Sequence, residues 1–275
     1  MENQQYLANL INKKLEEYSV SIYEQWKNPI GTNTRHFILD NLLPTDVAMT
    51  IFNAFPKTGD GFHSTKTFRE KKKTSAELSN HDVILASITY AIQNRIIVEK
   101  IAELTDIENL FPDPNLYAGG LSMMFKDDFL NPHIDNSHDA ERNKFRRLNL
   151  LYYVTPNWVV ENGGNLELWD DSREVPKTLT AAFNRLIVME TNKTSWHSVS
   201  KVLVNNQRCC VSNYFFSDKS PDGSEYFHVT SFTGRPDESA KRIFGFLDNE
   251  LRNVFSNIFK VGRGKRQMNK YNKKL

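Results

Sequence analysis

The apolar pattern of the chain changes near residue 116, and this change constrains the fold more than any other feature. Before it, apolar residues recur at intervals of three and four, which predicts amphipathic helices over 3–27, 45–55 and 81–104. After it, short runs rich in β-branched and aromatic residues alternate with turn residues such as the Asn-Gly-Gly at 162–164. The pattern therefore predicts a β sandwich or barrel with flanking helices.

The predicted strands are short and closely spaced. One is predicted before the change, at 35–39, and the polar stretch 57–80 is predicted to be a loop or a hairpin. Thr45 is the predicted N-cap of the second helix, and a further helix is predicted at 237–259. The remaining predicted strands are at 119–126, 131–136, 145–154, 165–170, 185–190, 197–203 and 207–217.

The bulk properties are those of a globular chain. With 275 residues, 39% hydrophobic and 25% charged, it can bury a sizeable core. No apolar run approaches the roughly 18–20 residues that span a bilayer, and the polar N-terminus lacks a signal-peptide pattern. We predict no membrane segment and a single domain over 1–275. Its regions are a mostly helical support region at 1–114, a β core at 115–217, a helical region at 218–259 and a basic tail at 260–275.

Two local features bear on compartment and partners. Cys209 and Cys210 are adjacent, so a disulfide between them would be strained and would close almost no loop. Two reduced thiols are the favoured alternative, which predicts a cytoplasmic protein. The segment 260–275 carries seven Lys and Arg and no acid. It could bind nucleic acid, but a solvated terminus is favoured because Tyr271 is its one aromatic residue, and nucleic acid is not an expected partner.

His133 and Asp135 are separated by one residue in a predicted strand. Residues i and i+2 of a strand project from the same face, so these two side chains could bind one metal ion. His197, from another predicted strand, would complete a set of two histidines and one carboxylate, which is typical of non-heme Fe(II) oxygenases and leaves metal positions open. By itself a His-x-Asp pair is common, and most such pairs are surface residues or local hydrogen bonders.

Arg208 opens an apolar strand, eleven residues after His197. A permanent charge on a buried strand needs an anionic partner, and a dicarboxylate co-substrate held by two parallel hydrogen bonds would supply one. The alternative is a structural salt bridge to an internal acid, although no Asp or Glu lies on that strand.

Residues 115–217 resemble the Fe(II)- and 2-oxoglutarate-dependent dioxygenases, in particular their prolyl-4-hydroxylase-like branch. The segments that carry the resemblance occur in the family's order. They are FLNPHIDN at 129–136, RRLNLLYYVTPNW at 146–158, GGNLEL at 163–168, NRLIVME at 184–190 and WHSV at 196–199.

The resemblance implies a double-stranded β-helix (jelly-roll) core, with helices packed on the outer face of one sheet. It implies that His133, Asp135 and His197 bind iron and that Arg208 binds the distal carboxylate of 2-oxoglutarate. Tyr153 matches a tyrosine that donates a hydrogen bond to that carboxylate, its alternative being a core aromatic residue. The implied cofactors are Fe(II), 2-oxoglutarate and O₂, with ascorbate as a reductant.

Strand alternation adds further candidates. If Arg208 points inward, so do Cys210, Ser212 and Tyr214, and Ser212 is then a co-substrate candidate and Tyr214 a pocket candidate. If Tyr153 points inward, so do Leu151, Asn149 and Arg147. Asn149 would orient substrate or a water molecule, or would belong to a buried polar network.

The chain departs from the family before the first histidine. Many relatives have a tyrosine where this chain has Met123, Met124 and Phe125, and Phe125 is a candidate for the substrate pocket. The presence of Asp135 argues against the halogenating relatives, which lack a carboxylate there.

The implied reaction is the hydroxylation of an unactivated C–H bond with release of succinate and CO₂. The expected substrate is a prolyl or other amino-acid residue of a protein or peptide. Two alternatives stay open: hydroxylation of a small molecule, and a non-catalytic metal-binding protein. The sequence leaves the oligomeric state open.

Overall fold

A computed structural model describes residues 2–117, 119–238 and 242. Its five helices are α1 (Glu2–Glu17), α2 (Ser19–Lys27), α3 (Thr45–Asn53), α4 (Val83–Ile92) and α5 (Arg95–Thr105). None of the helices in these residues has the length and apolar character that crossing a membrane requires. The helix predicted at 237–259 lies almost entirely outside the described residues, and the basic segment 260–275 lies wholly outside them.

The described residues form thirteen strands. They are β1 (His36–Asp40), β2 (His63–Lys66), β3 (Glu70–Ser75), β4 (Leu110–Pro112), β5 (Gly120–Met124), β6 (Phe129–Ile134), β7 (Phe145–Tyr153), β8 (Leu166–Leu168), β9 (Lys177–Leu179), β10 (Arg185–Glu190), β11 (His197–Val199), β12 (Arg208–Ser217) and β13 (Ser231–Phe232). Each predicted strand is present, and the stretch 57–80 contains the β2–β3 hairpin.

The strands form one curled antiparallel sheet in the order β1-β10-β7-β12-β5-β3-β6-β11-β8-β9. The sheet has a larger half that ends at β5 and a smaller half that begins at β6. Strand β3 joins them because it pairs with both β5 and β6. This architecture confirms the predicted jelly-roll core. It also shows that the region 1–114 supplies strands β1 to β4 to the sheet as well as helices.

The sheet separates two apolar cores, because successive side chains of a strand point to opposite faces. The helix-side core contains Tyr152, Cys209 and Val211 together with buried residues of the helices such as Ile101. The barrel-interior core contains residues from the other face of the same strands, including Tyr153, Cys210 and Met124. Helices α1, α4 and α5 therefore cover the outer face of the larger half, as predicted.

Two predicted helices are each divided in two. The helix predicted at 3–27 divides at Tyr18. The helix predicted at 81–104 divides at Asn94. The Asn94 side chain accepts a hydrogen bond from the N–H of Ile96 and so caps the start of α5. The prediction of Thr45 as an N-cap was wrong, because Pro44 is the N-cap and Thr45 is the first residue of α3. An Asn inside an apolar stripe does not interrupt the helical spacing, which is why the second division was not predicted.

Strand β7 contains a β-bulge near its start. Phe215 pairs with Leu148 and Phe216 pairs with Arg146, so Arg147 is an extra residue on β7. The bulge changes which side chains face the barrel interior.

Candidate functional site

His133, Asp135 and His197 lie together at one end of the barrel. His133 on β6 and His197 on β11 are cross-strand partners, and Asp135 follows β6 directly. The Nε2 atoms of His133 and His197 are each 3.5 Å from a carboxylate oxygen of Asp135. Each of the three residues offers one potential ligand atom, and these atoms all lie within 4.8 Å of one another. The group could therefore hold a metal ion. Antiparallel pairing thus joins two histidines that are far apart in the sequence.

Both histidine rings have a fixed orientation. Nδ1 of His133 is 3.0 Å from the carbonyl oxygen of Asn131, and Nδ1 of His197 is 2.9 Å from that of Ser195. Because a carbonyl oxygen can only accept a hydrogen bond, Nδ1 is the donor in each ring. Each Nε2 therefore presents a lone pair to the space beside Asp135, as metal binding requires.

The electrostatics favour a neutral His133 and an ionised Asp135. Burial lowers the pKa of His133, and the nearby charges of His197 and Lys72 lower it further, against the effect of Asp135. Burial alone would raise the pKa of Asp135, but Arg146 and the two histidines hold it well below its ordinary value. These protonation states are those of metal ligands.

Two side chains of β7 hold the Asp135 carboxylate. Nδ2 of Asn149 donates to Oδ2 of Asp135 at 2.7 Å, and Nη1 of Arg146 lies 3.3 Å from the same oxygen. Asn149 therefore faces the site, as strand alternation predicts. Its Nδ2 atom contacts the Asp135 carboxylate, and its Oδ1 atom has no hydrogen-bond partner. Arg146 also donates to Oδ1 of Asn136 at 2.9 Å and lies 4.2 Å from the ring centre of Tyr214.

The prediction that Arg147 shares the inner face was wrong. The bulge makes Arg146 the arginine that faces Asp135. Arg147 instead donates to the carbonyl oxygen of Lys219 at 3.0 Å, and its Nη2 lies 3.9 Å from Glu190. Arg146 is thus a site residue that strict alternation missed, and no local sequence signal marks the bulge.

Arg208 lies inside the barrel, only 3% exposed. Its Nε and Nη1 atoms have no hydrogen-bond partner, and no ion pair to it occurs among the described residues. The internal salt bridge that was the alternative is therefore absent from this part of the chain. Gly164, at φ +64°, gives the side chain room, since a Cβ there would lie 2.9 Å from Cδ of Arg208.

Tyr153 lies beside Arg208. The Arg208 guanidinium carbon is 4.9 Å from the centre of the Tyr153 ring, and the Tyr153 hydroxyl is buried without a hydrogen-bond partner. Burial raises the pKa of Tyr153, against the charge of Arg208, so the hydroxyl is a proton donor. Tyr153 belongs to the barrel-interior core, and because Arg208 has no acceptor atom, the Tyr153 hydroxyl proton remains available to a ligand.

Ser212 and Tyr214 follow on the same face of β12. Ser212 is buried, with Oγ 3.6 Å from Sγ of Cys210. Tyr214 is half-buried, and burial raises its pKa, as does the charge of Asp135. Phe125 is different, because it packs against the helix-side core whereas its neighbour Met124 belongs to the barrel-interior core. The structure therefore does not bring Phe125 to the site.

The segment after β12 covers part of the site, which the sequence did not predict. Strand β13 pairs with β6, and Phe232 stacks on His133 with ring centres 5.1 Å apart. A small pocket beside Asp135 is lined by Asn136, Ser137, Arg146, Thr191, Asn192, Tyr226 and His228. Because β13 has only two residues, no strand periodicity could have revealed it.

Residues 119–216 match the sequence profile of the 2OG-Fe(II) oxygenase superfamily. These residues are a 2OG-Fe(II) oxygenase domain. The oxygenase domain is also similar to prolyl 3-hydroxylase OGFOD1 from Mus musculus, with 30% identity over 96 residues, and from Xenopus laevis, with 32% identity over 103 residues. These relatives support the prolyl-hydroxylase-like branch of the superfamily. The two matches cover 33% and 34% of this chain but only 17% and 20% of the relatives.

The fold of the chain is similar to that of a solved prolyl 4-hydroxylase from Phytophthora capsici. The two align with a TM-score of 0.52 and 14% identity, over 94% of this chain and 80% of the other. At this identity the likeness concerns the fold alone. The superfamily works with Fe(II), 2-oxoglutarate and O₂, and the described side chains fit them. Two imidazoles and a carboxylate suit Fe(II), and the Arg208 guanidinium, whose Nε and Nη1 atoms have no partner, suits a dicarboxylate.

Proposed function

We propose that this chain is a dioxygenase that hydroxylates an unactivated C–H bond of a prolyl or other amino-acid residue. One atom of O₂ enters that bond as a hydroxyl group and the other enters succinate, while 2-oxoglutarate loses CO₂. The observation that carries the proposal is the convergence, inside one barrel, of two histidines and an aspartate that could hold a metal ion and a buried arginine with two nitrogen atoms that have no partner.

His133, Asp135 and His197 would be the iron ligands. The bound iron supplies the oxidative chemistry, and the protein positions the reactants. The Asn131 and Ser195 carbonyls fix the two imidazoles before metal binds. Asn149 and Arg146 fix the carboxylate, which keeps Asp135 on the same side as the imidazoles.

Arg208, Tyr153 and Ser212 would bind the distal carboxylate of 2-oxoglutarate. Arg208 offers N–H groups that have no acceptor, and the Tyr153 hydroxyl is a free donor beside it. A carboxylate would satisfy these groups together, and hydrogen bonds to a charged acceptor are the strong ones. Ser212 lies two residues beyond Cys210 on the same face.

The substrate would enter beside Asp135. Tyr214 and the pocket that includes Tyr226 and Thr191 offer aromatic surface and polar groups there, among them the unpartnered Thr191 hydroxyl. A prolyl residue is favoured because both curated relatives are prolyl hydroxylases. A small-molecule substrate is the second candidate, although no specific contact favours it.

The direct test supplies the full-length protein with Fe(II), 2-oxoglutarate, ascorbate and O₂, together with a library of proline-containing peptides or free amino acids. We expect succinate to form in step with a gain of one oxygen in a peptide. Hydroxylation of free amino acids alone would favour the small-molecule alternative. No succinate under any condition, with iron bound, would overturn the enzymatic proposal.

The metal ligands are tested separately. His133→Ala and Asp135→Ala should each reduce iron-dependent decarboxylation of 2-oxoglutarate by more than about 100-fold, since even residues that only support a metal ligand are worth about 10–100-fold. Circular dichroism and iron content measured on the same samples show that the fold is kept and the metal lost. Full iron binding by both variants would mean that the metal lies elsewhere.

A cytoplasmic setting remains a prediction. It is supported by Cys209 and Cys210, which are both free and buried. Fractionation of cells that express the tagged full chain would test it, and recovery outside the cytoplasm would contradict it.

A further inference from the structure

Strand β3 lies between the two parts of the proposed active site. The strand order is β12-β5-β3-β6, with Arg208 on β12 and His133 on β6. The stretch of sheet between the metal triad and Arg208 is thus formed by β3 and β5, and a dicarboxylate held between the two sites would lie beside it. The side chains that β3 presents to the interior are candidates for contact with it.

The register shows which side chains these are. Lys73 pairs with Met123 of the helix-side core, and Met123 pairs with Cys209 of the same core. By the same register Lys72 lies opposite Met124, which belongs to the barrel-interior core and pairs with Arg208. Lys72 and Arg208 thus occupy one row of the inner face, about 10 Å apart at two strand spacings.

The surroundings of the two lysines agree with this assignment. A Cβ at Gly59 would meet the Lys73 side chain and Phe125, and Phe125 packs on the helix-side core. Glu70, two residues before Lys72, pairs with Leu130, which packs on the barrel-interior core. Lys72 is 26% exposed, its Nζ is 2.9 Å from Glu70, and its charge acts on His133.

We propose that Lys72 is a second cationic contact of the 2-oxoglutarate pocket, between the metal triad and Arg208. The inference rests on the proposed function. 2-Oxoglutarate carries two negative charges, and Arg208 pairs only with the distal one, so a further cation beside the path from the triad to Arg208 adds attraction for the dianion. The flexible stem of Lys72 allows its ammonium to turn from Glu70 toward the bound dicarboxylate. Lys72 is therefore a specificity-determining residue for a dianionic co-substrate.

The test measures co-substrate binding without turnover. 2-Oxoglutarate is titrated calorimetrically, without O₂, into the full-length protein loaded with Mn(II) in place of iron. Lys72→Met should raise the dissociation constant about 5–10-fold, as expected for one partly exposed charge. Lys72→Arg, which keeps the charge, should stay near the wild type. Lys73→Met is the matched control, because it removes the same charge from the other face of the strand.

Other outcomes separate this inference from the proposed function. If the wild type binds no 2-oxoglutarate, the proposed function fails. If the wild type binds it and Lys72→Met and Lys73→Met both match it, the Lys72 inference alone is overturned. Glu70→Gln removes the ion pair but keeps the lysine charge, so it should not weaken binding. If Glu70→Gln and Lys72→Met weakened 2-oxoglutarate binding equally, the Lys72–Glu70 ion pair would act only on the fold, and the Lys72 inference would be overturned.

Discussion

Tyr152 and Tyr153 are neighbours on β7, yet they have opposite environments. Tyr152 lies in the helix-side core, where its hydroxyl donates to Oδ1 of Asn184 at 2.8 Å. Tyr153 lies in the barrel-interior core, where its hydroxyl has no partner. The same residue type thus completes a hydrogen bond within the protein on one face and offers an unused donor on the other.

The difference extends to other side chains of the two faces. On the helix side, the indole N–H of Trp26 donates to the carbonyl oxygen of Thr105 at 2.9 Å. In the barrel interior, Arg208 is equally buried but leaves two nitrogen atoms without partners. Buried polar groups without a partner are costly, and those of Arg208 and Tyr153 lie next to each other in the barrel interior, where one bound carboxylate would satisfy both. We infer that the helix side mainly stabilises the fold, while the interior is completed by what it binds.

The sharpest test on the helix side is Phe215→Ala. Phe215 is fully buried in the helix-side core, so the truncation should lower the free energy of unfolding by about 3–5 kcal/mol. Chemical denaturation measures this loss. The dissociation constant for 2-oxoglutarate of the protein that remains folded should not change. A large change would contradict the separation of the two faces.

Asp113, which directly follows β4 and interacts with the charge of Arg146, tests the cost of an unpartnered group. It is 6% exposed and its Oδ2 atom has no partner. Burial raises the pKa of its carboxyl from 3.8 to about 6, against Arg146 and two backbone N–H groups. The folded state therefore binds the Asp113 proton more tightly than the unfolded state does. The contribution of this proton to the free energy of unfolding is complete below pH 3.8 and is lost as the pH rises to about 6.

Asp113→Asn keeps this position neutral at every pH. At about pH 8 it should raise the free energy of unfolding by up to about 3 kcal/mol, at 1.36 kcal/mol per pKa unit. At about pH 4 the variant and the wild type should differ little. Denaturant titrations at both pH values measure the two differences, and equal differences would contradict the assignment of a desolvated acid.

In the interior, Arg208→Met should weaken 2-oxoglutarate binding about 100-fold, because a charge-assisted pair is lost from a buried site. Stability without ligand should be unchanged or higher, since methionine fills similar space and needs no partner. Calorimetry and thermal unfolding of the same sample measure both. Lower stability with unchanged affinity would place Arg208 among the structural residues.

The tyrosine pair gives the smallest effects and the closest comparison. Tyr152→Phe should lower the free energy of unfolding by about 1 kcal/mol, through the lost hydrogen bond to Asn184, and leave co-substrate affinity unchanged. Tyr153→Phe should leave the stability of the ligand-free protein unchanged and weaken 2-oxoglutarate binding several-fold. If Tyr152→Phe weakened 2-oxoglutarate binding and Tyr153→Phe lowered the stability, the proposed difference between the two faces would be wrong.

Sequence patterns predicted the residues whose positions depend on local periodicity. His133 and Asp135 follow from strand alternation, and Arg208 was identified by its charge on an apolar strand. The partnership of His133 with His197 depends on pairing between distant strands, for which the family resemblance supplied the order. Predictions failed where geometry changes without a local signal, as at the bulge that exchanges Arg146 for Arg147.

Contacts made by irregular segments were also beyond the sequence. Phe232 stacks on His133 from a two-residue strand, and β3 joins the two halves of the sheet from within a polar stretch. Neither position is marked by apolar periodicity, because what places them is pairing across the sheet.

The bulge in β7 has a consequence for how this chain is aligned with others. The extra residue shifts the alternation of inward and outward side chains by one position. The face occupied by Asn149 and Tyr153 therefore does not determine the face occupied by Arg146. A chain whose equivalent strand is regular has one residue fewer between those positions. An alignment without a one-residue gap at Arg147 would then assign the contact with Asp135 to a residue of that chain that faces away from its site.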